Sequence, residues 1–234
     1  MGNPSLDDLA CIHASPHEIW NLRVMRYRVT FAKTEAMRFT SHLDTNRTWE
    51  RIVRRARLPL AYTQGYNPRP KINLASALPL GFTSSKELAE IWLEKEISAE
   101  EVESHLKRAE TPGLQIIGVE LVDLNAPKLP NLVHSAEYIV SLIEHIDDLA
   151  EKIARILESD SLIRERRGKR YDLRPLVEAM DELPPRNQGD QQLRLLLAAR
   201  TGATGRPDEV LTEMGISPQI ARIHRSKLIL KTID

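Results

Sequence analysis

The sequence predicts an α+β protein of two ferredoxin-like (βαββαβ) halves, with antiparallel sheets and helices packed on one face. Three observations lead there. Stretches of period-2 alternation and stretches of helical period interleave twice along the chain. A proline-bearing stretch without periodicity separates the two runs. Each run follows the split βαβ grammar of strand, helix, strands, helix, strand. Residues 1–22 therefore read as a tail or linker, 23–124 as the first half, 125–134 as a linker, and 135–234 as a second, looser half.

In the first half, "RYRVTFAKT" (26–34) alternates Tyr27, Val29 and Phe31 and reads as a strand. Ser41 followed by Asp44 is a capping-box start, so a helix opens there. At 100° per residue, Trp49, Ile52, Val53 and Ala56 share one arc, and Arg47, Arg51, Arg54 and Arg55 share a roughly opposite one. "LPLAYT" (58–63), "KINLASAL" (71–78) and "LAEIWLEKE" (88–96) alternate as strands; the pattern leaves Trp92 open between burial and exposure. Ser98 and Glu101 form a second capping box, and "LQIIGVELVD" (114–123) closes the unit as a strand.

The second half repeats these signals. "AEYIVSLIE" (136–144) is a strand, "DDLAEKIARILES" (147–159) a helix and "QQLRLLLAAR" (191–200) a strand. "RPDEVLTEMG" (206–215) is a short helix with Pro207 near its start, and "ARIHRSKLILK" (221–231) is the last strand. Between them lie a basic hairpin, a helical turn begun by Asp172, and an exposed loop at 184–190.

Composition narrows the classes of function. With 234 residues, 41% hydrophobic and 28% charged, the chain is ordinary globular material. It has no apolar run of about 18 residues and no basic-then-apolar leader, so a cytoplasmic protein without a membrane partner is expected. "MGNPSL" begins like a myristoylation site but has Leu6 where Ser or Thr is needed. A single cysteine, Cys11, excludes an internal disulfide framework and a Cys-ligated cluster. The histidines are scattered, and Pro16 breaks the His13/His17 spacing, so neither metal nor cofactor is expected. Net charge is zero, yet residues 23–71 hold twelve Lys/Arg against three Asp/Glu, a local balance of +9. That asymmetry points to one cationic face.

The candidate site residues follow from this face. Arg47, Arg51, Arg54 and Arg55 form either a solvated helix face or a phosphate-contacting ridge, with Arg38, Arg69 and Lys71 nearby in sequence. "GYNPRPK" (65–71) is a turn stiffened by two prolines, and it also offers Tyr66 for stacking, Asn67, and Arg69 and Lys71 for anions. His42 and Asp44 are the one acid–base pair nearby; capping explains them, and a general acid/base role for His42 is the alternative. A second basic patch comprises Arg166, Arg167, Lys169 and Arg170.

The run Arg38–Glu94 resembles the signature of the radical-SAM-linked protein family, a bacterial domain of unknown function. The resemblance rests on Ser41 to Asp44, Arg54 to Leu60, Gly65 to Lys71 and Pro79 to Ser84, with "YDLRPLV" (171–177) and "RPDEVL" (206–211) matching later motifs. It extends over about residues 24–231. Members are often fused behind, or encoded beside, a radical-SAM protein, and RNA-processing genes are frequent neighbours. The resemblance thus implies a separate radical-SAM chain as partner, because this sequence lacks Cys-x3-Cys-x2-Cys. The expected function is a non-catalytic module that binds RNA or another polyanion, or presents a substrate to that partner. The alternatives are a metal-independent ribonuclease of double-ferredoxin type, by fold analogy, and a protein-only adaptor.

Overall fold

The computed structural model describes residues 24–166, 168–185 and 191–232. Tyr27, Val29 and Phe31 alternate along β1 (Met25–Lys33) and are buried. Ala89, Ile91 and Leu93 do the same on β3 (Thr83–Leu93), which pairs antiparallel with β1. Onto them pack Trp49, Ile52 and Val53 of α1 (His42–Arg55) and Val102 and Leu106 of α2 (Ala99–Arg108). Phe31 meets Trp49 edge to face, ring centroids 5.0 Å apart. β4 (Leu114–Val122) flanks β1, and the short β2 (Ile72–Leu74) flanks β3, both antiparallel.

A second core follows α3 (Leu129–Leu132). β5 (Val133–Leu142) lies between β9 (Gln191–Arg200) and β11 (Ala221–Leu230), antiparallel to both. β8 (Val177–Leu183) and β10 (Ala203–Thr204) pair with β9. Tyr138, Val140, Leu195 and Ile223 share one apolar core with α4 (Leu149–Glu158) and α5 (Pro207–Glu213), entering through Ile153, Ile156, Val210 and Leu211. β6 (Ile163–Arg166) and β7 (Lys169–Asp172) make a separate hairpin. None of the helices among the described residues is long and apolar enough to cross a membrane.

The expectation of antiparallel sheets is corrected at the join. β11 runs parallel to β3 over two residue pairs, His224 with Thr83 and Arg225 with Ser84. Among the described residues the result is one mixed sheet of nine strands, ordered β10-β9-β5-β11-β3-β1-β4, with β2 and β8 paired at its sides, and five helices. The physical reason lies in β2. Its three residues pair only with Ile91, Glu90 and Ala89, so the Thr83–Ser84 end of β3 keeps an open edge for β11.

Other differences have similarly local causes. "LPLAYT" makes only isolated bridges, Leu60 to Leu93 and Tyr62 to Pro70, because prolines at 59 and 70 remove ladder donors. "KINLASAL" leaves the sheet after Leu74, and its Ala75 and Leu78 enter the second core with Phe82. The 125–134 segment carries α3, whose Leu129 and Leu132 are buried. Arg26 donates to the Ala126 and Pro127 carbonyls at 2.6 and 2.8 Å, which ties this crossing down. The helical turn after Asp172 is a 3-10 turn at Arg174–Leu176, and "VEAM" continues as β8. Residues 1–22 and most of the 184–190 loop lie outside the described residues.

Across the join, Arg225 reaches Glu87. Its Nε donates to Glu87 Oε1 at 2.7 Å, Nη2 donates to the other carboxylate oxygen, and Nη1 donates to the Ala77 carbonyl at 3.2 Å. The side chains are 1% and 5% exposed. Removing one partner of such a pair leaves the other as an uncompensated buried charge. Glu87→Gln is therefore expected to lower unfolding free energy by about 3–5 kcal/mol in urea titration; a loss below about 1 kcal/mol would place the pair among surface-like interactions.

Candidate nucleic-acid interface

The site starts from α1. Ser41 caps it, its Oγ accepting from Asp44 N at 3.2 Å and donating to Asp44 Oδ2 at 2.7 Å. With Trp49, Ile52 and Val53 facing the core, Arg47, Arg51, Arg54 and Arg55 fall on the exposed side. They do not behave alike. Arg47 sits 3.3 Å from Asp44 and Arg54 sits 3.7 Å from Glu50, exposed pairs that hold their cations only loosely. Arg51 has no side-chain partner among the described residues. Arg55 instead donates to the Ala109 and Glu110 carbonyls, the latter at 2.8 Å, and so caps the C-terminal end of α2. Arg38 is also structural: its Nε donates to Gly81 O at 2.9 Å, and Gly81 N donates back to Arg38 O at 2.9 Å.

After α1 the chain enters the "GYNPRPK" hairpin. Thr63 N donates to Arg69 O at 2.9 Å, Arg69 N to Thr63 Oγ1 at 3.1 Å, and Lys71 N to Ala61 O at 2.8 Å. Gly65, at φ 132°, makes the reversal that a side chain would strain. The tip is solvent-facing from Tyr62 to Arg69, and the ring of Tyr66 is wholly exposed, with Asn67 beside it. Lys71 is held differently. Its Nζ lies 4.7 Å from the centroid of the Trp92 ring, with the Arg26 guanidinium at 5.5 Å. Two cations, rather than a helix, thus cover Trp92 on the face away from the core.

In the second half, Arg166, Lys169 and Arg170 are exposed on the β6–β7 hairpin; Arg167 lies outside the described residues. Arg164 is tied to Glu213 at 2.9 Å, and Arg174 donates to the Val177 and Leu157 carbonyls. Arg166, 3.7 Å from Glu209, also lines a cleft of about 390 Å³ between the halves. The same cleft takes in Ser41 and His42, the Ser76–Leu80 segment, Arg206 and Arg225. Sequence distance had kept His42 and Arg166 apart.

Burial, and then the Arg225 charge, holds the His42 imidazole below its ordinary value, with Glu87 opposing. The ring is neutral near pH 7, and Nε2 meets Asn46 Nδ2 at 3.3 Å. Among the described residues its side-chain contact is with Asn46, and it makes no hydrogen bond to a hydroxyl or thiol. A second histidine, His224, was missed by sequence reasoning. At the join of the halves its Nδ1 lies 2.8 Å from Thr83 Oγ1, and Nε2 meets Ser85 Oγ. Glu87, Arg225, Lys33 and Arg206 were also missed. The available signal was a charged residue at an inward-facing position of an alternating strand: Glu87 shares the face of Ala89 and Ile91, and Arg225 that of Ala221 and Ile223.

A protein-family model described as "Uncharacterized protein conserved in bacteria (DUF2344)" matches residues 26–207. The chain belongs to this family. The DUF2344 description names neither an activity nor a radical-SAM partner. None of the curated proteins compared with this DUF2344 chain matches it. Among solved structures it is similar to one described as a Cbf5-Nop10-Gar1 complex, at 10% identity and TM-score 0.43, over 88% of this chain and 48% of that one. It is also similar to an archaeal box H/ACA sRNP Nop10-Cbf5 complex, at 12% identity and TM-score 0.37, over 88% and 47%. The chain spans about half the length of those chains. At these scores the likeness supports no statement about function.

Burial holds His224 below the ordinary imidazole value of 6.5, against opposing pulls from Glu87 and Glu35. As pH falls, the unfolded chain therefore takes up protons first. This contribution to stability is complete above pH 6.5 and is lost as pH falls through the folded value. Urea midpoints measured at about pH 7.5 and about pH 5.5 are expected to be lower at the acid value, and His224→Gln is expected to narrow the gap. An unchanged gap would mean that His224 does not contribute.

Proposed function

We propose that the chain is a non-catalytic RNA-binding module that presents a polyanionic substrate to a partner enzyme. The observation that carries this reading is the hairpin tip: a hydrogen-bonded, proline-stiffened turn that holds Tyr66 wholly in solvent, with Arg69 three residues on. An aromatic ring offered this way stacks on any base, and a stiff loop loses little entropy on binding. The loosely paired Arg47 and Arg54, with Arg51, supply phosphate contacts on the adjoining helix. A separate radical-SAM chain is the partner implied by the motif resemblance. The reading of two ferredoxin-like halves, 23–124 and 135–234, is supported by strand orders β4-β1-β3-β2 and β11-β5-β9-β8, which follow the same pattern.

Fluorescence anisotropy with a structured RNA over a salt series tests the proposal. Log affinity is expected to fall linearly with log salt, at about 0.7–0.9 per phosphate contact. Arg51→Ala with Arg54→Ala is expected to reduce that slope by roughly 2, and Tyr66→Ala to weaken binding by about 1–3 kcal/mol. Absence of binding at low salt, or full affinity in all three substitutions, sinks the reading.

A further inference from the structure

We propose that the cleft between the halves receives a single unstacked nucleotide of the bound RNA, base inward and phosphate at Arg166. The proposal rests on the RNA-binding reading and adds to it a specific pocket. At about 390 Å³ the cleft lies at the small end of ligand sites, suited to one nucleotide rather than a folded segment of protein. Its walls include Leu78, Pro79 and Pro207, apolar surfaces against which a flat ring is desolvated without leaving polar groups unpaired.

The charges at the cleft sort themselves by what already binds them. Arg206 is held by Asp208, Nε to Oδ1 at 3.0 Å and Nη2 to Oδ2 at 2.6 Å. Arg225 is held by Glu87 and the Ala77 carbonyl. Arg166 stands 3.7 Å from Glu209, beyond hydrogen-bond length, and is 44% exposed. Among the described residues lining the cleft, one cation therefore remains with donors to spare, which suits one phosphate and not the repeated charge of an acidic peptide. His42, half-buried on the opposite half, is uncharged near pH 7 and offers a donor and an acceptor, the complement of a base edge rather than of a second anion. The β6–β7 register places Lys169 opposite Arg166 and Arg170 opposite Glu165, so the exposed hairpin carries further cations beside Arg166 for flanking phosphates.

Isothermal titration with the four nucleoside 5′-monophosphates, with uridine and with inorganic phosphate is the direct test, run beside RNA anisotropy on the same protein. At least one monophosphate is expected to bind at submillimolar concentration, more tightly than uridine or phosphate alone. Arg166→Ala is expected to weaken it about tenfold. Thr204→Trp, at an exposed position on the cleft wall, is expected to block it. Arg51→Ala with Arg54→Ala is expected to leave it unchanged while weakening RNA. RNA binding without monophosphate binding, or monophosphate binding indifferent to both Arg166→Ala and Thr204→Trp, overturns the cleft proposal and leaves the interface standing. Monophosphate binding without RNA binding overturns the interface, and with it the assignment of the nucleotide to an RNA.

Discussion

The ion pair between Arg225 and Glu87 is the constraint around which the molecule is organised. Only two residue pairs of backbone join β11 to β3. A guanidinium and a carboxylate buried beside that join carry a large desolvation cost, and the cost is offset only when both are present and hydrogen-bonded. The Ala77 carbonyl completes the shell of Arg225 and anchors the segment that leaves the sheet after Leu74. That segment sends Ala75, Leu78 and Phe82 into the core of the other half. The two apolar cores thus share a sheet, a charge pair and apolar packing.

The same pair sets the electrostatics of the groups around it. Lys33 is 2% exposed and donates to the Thr40 carbonyl at 2.9 Å. Burial lowers its pKa, Glu87 opposes that, and Arg225 reinforces it. His42 answers to burial and to the same two charges, so its neutrality is a property of the join as well as of its own position. A histidine kept neutral in a half-buried cleft makes a competent hydrogen-bonding group.

Counting charges along the chain identifies a basic region but not which cations are free. Of the twelve in residues 23–71, Arg26 and Arg28 bind Glu90, Lys33 is buried near Glu87, Arg38 binds Gly81 and Arg55 caps α2. These cations serve the fold. Arg47, Arg51, Arg54 and Arg69 remain at the surface, joined by Lys71 over Trp92 and by Arg57, which takes a positive φ of 54° as the helix ends; Arg23 lies outside the described residues. The difference is one of partners, and most of those partners lie more than forty residues away.

Local rules made much of the fold legible. The capping serines at 41 and 98 open helices where the spacing required, and alternation placed Tyr27, Val29, Phe31, Ala89, Ile91 and Leu93 inward, as found. Periods and caps depend on neighbours within a few residues, so composition and order determine them. The hairpin at Tyr66 was legible for the same reason: glycine and proline act on their own backbone. Three features lay beyond such reasoning: the parallel join, the cleft that unites His42 with Arg166, and the commitment of Arg38 and Arg55 to structure. Each depends on groups far apart in the chain, 138 residues in the case of Glu87 and Arg225. Such pairings are set by which edge, carbonyl or carboxylate the folded chain leaves unsatisfied, and that becomes defined once the strands have found their neighbours.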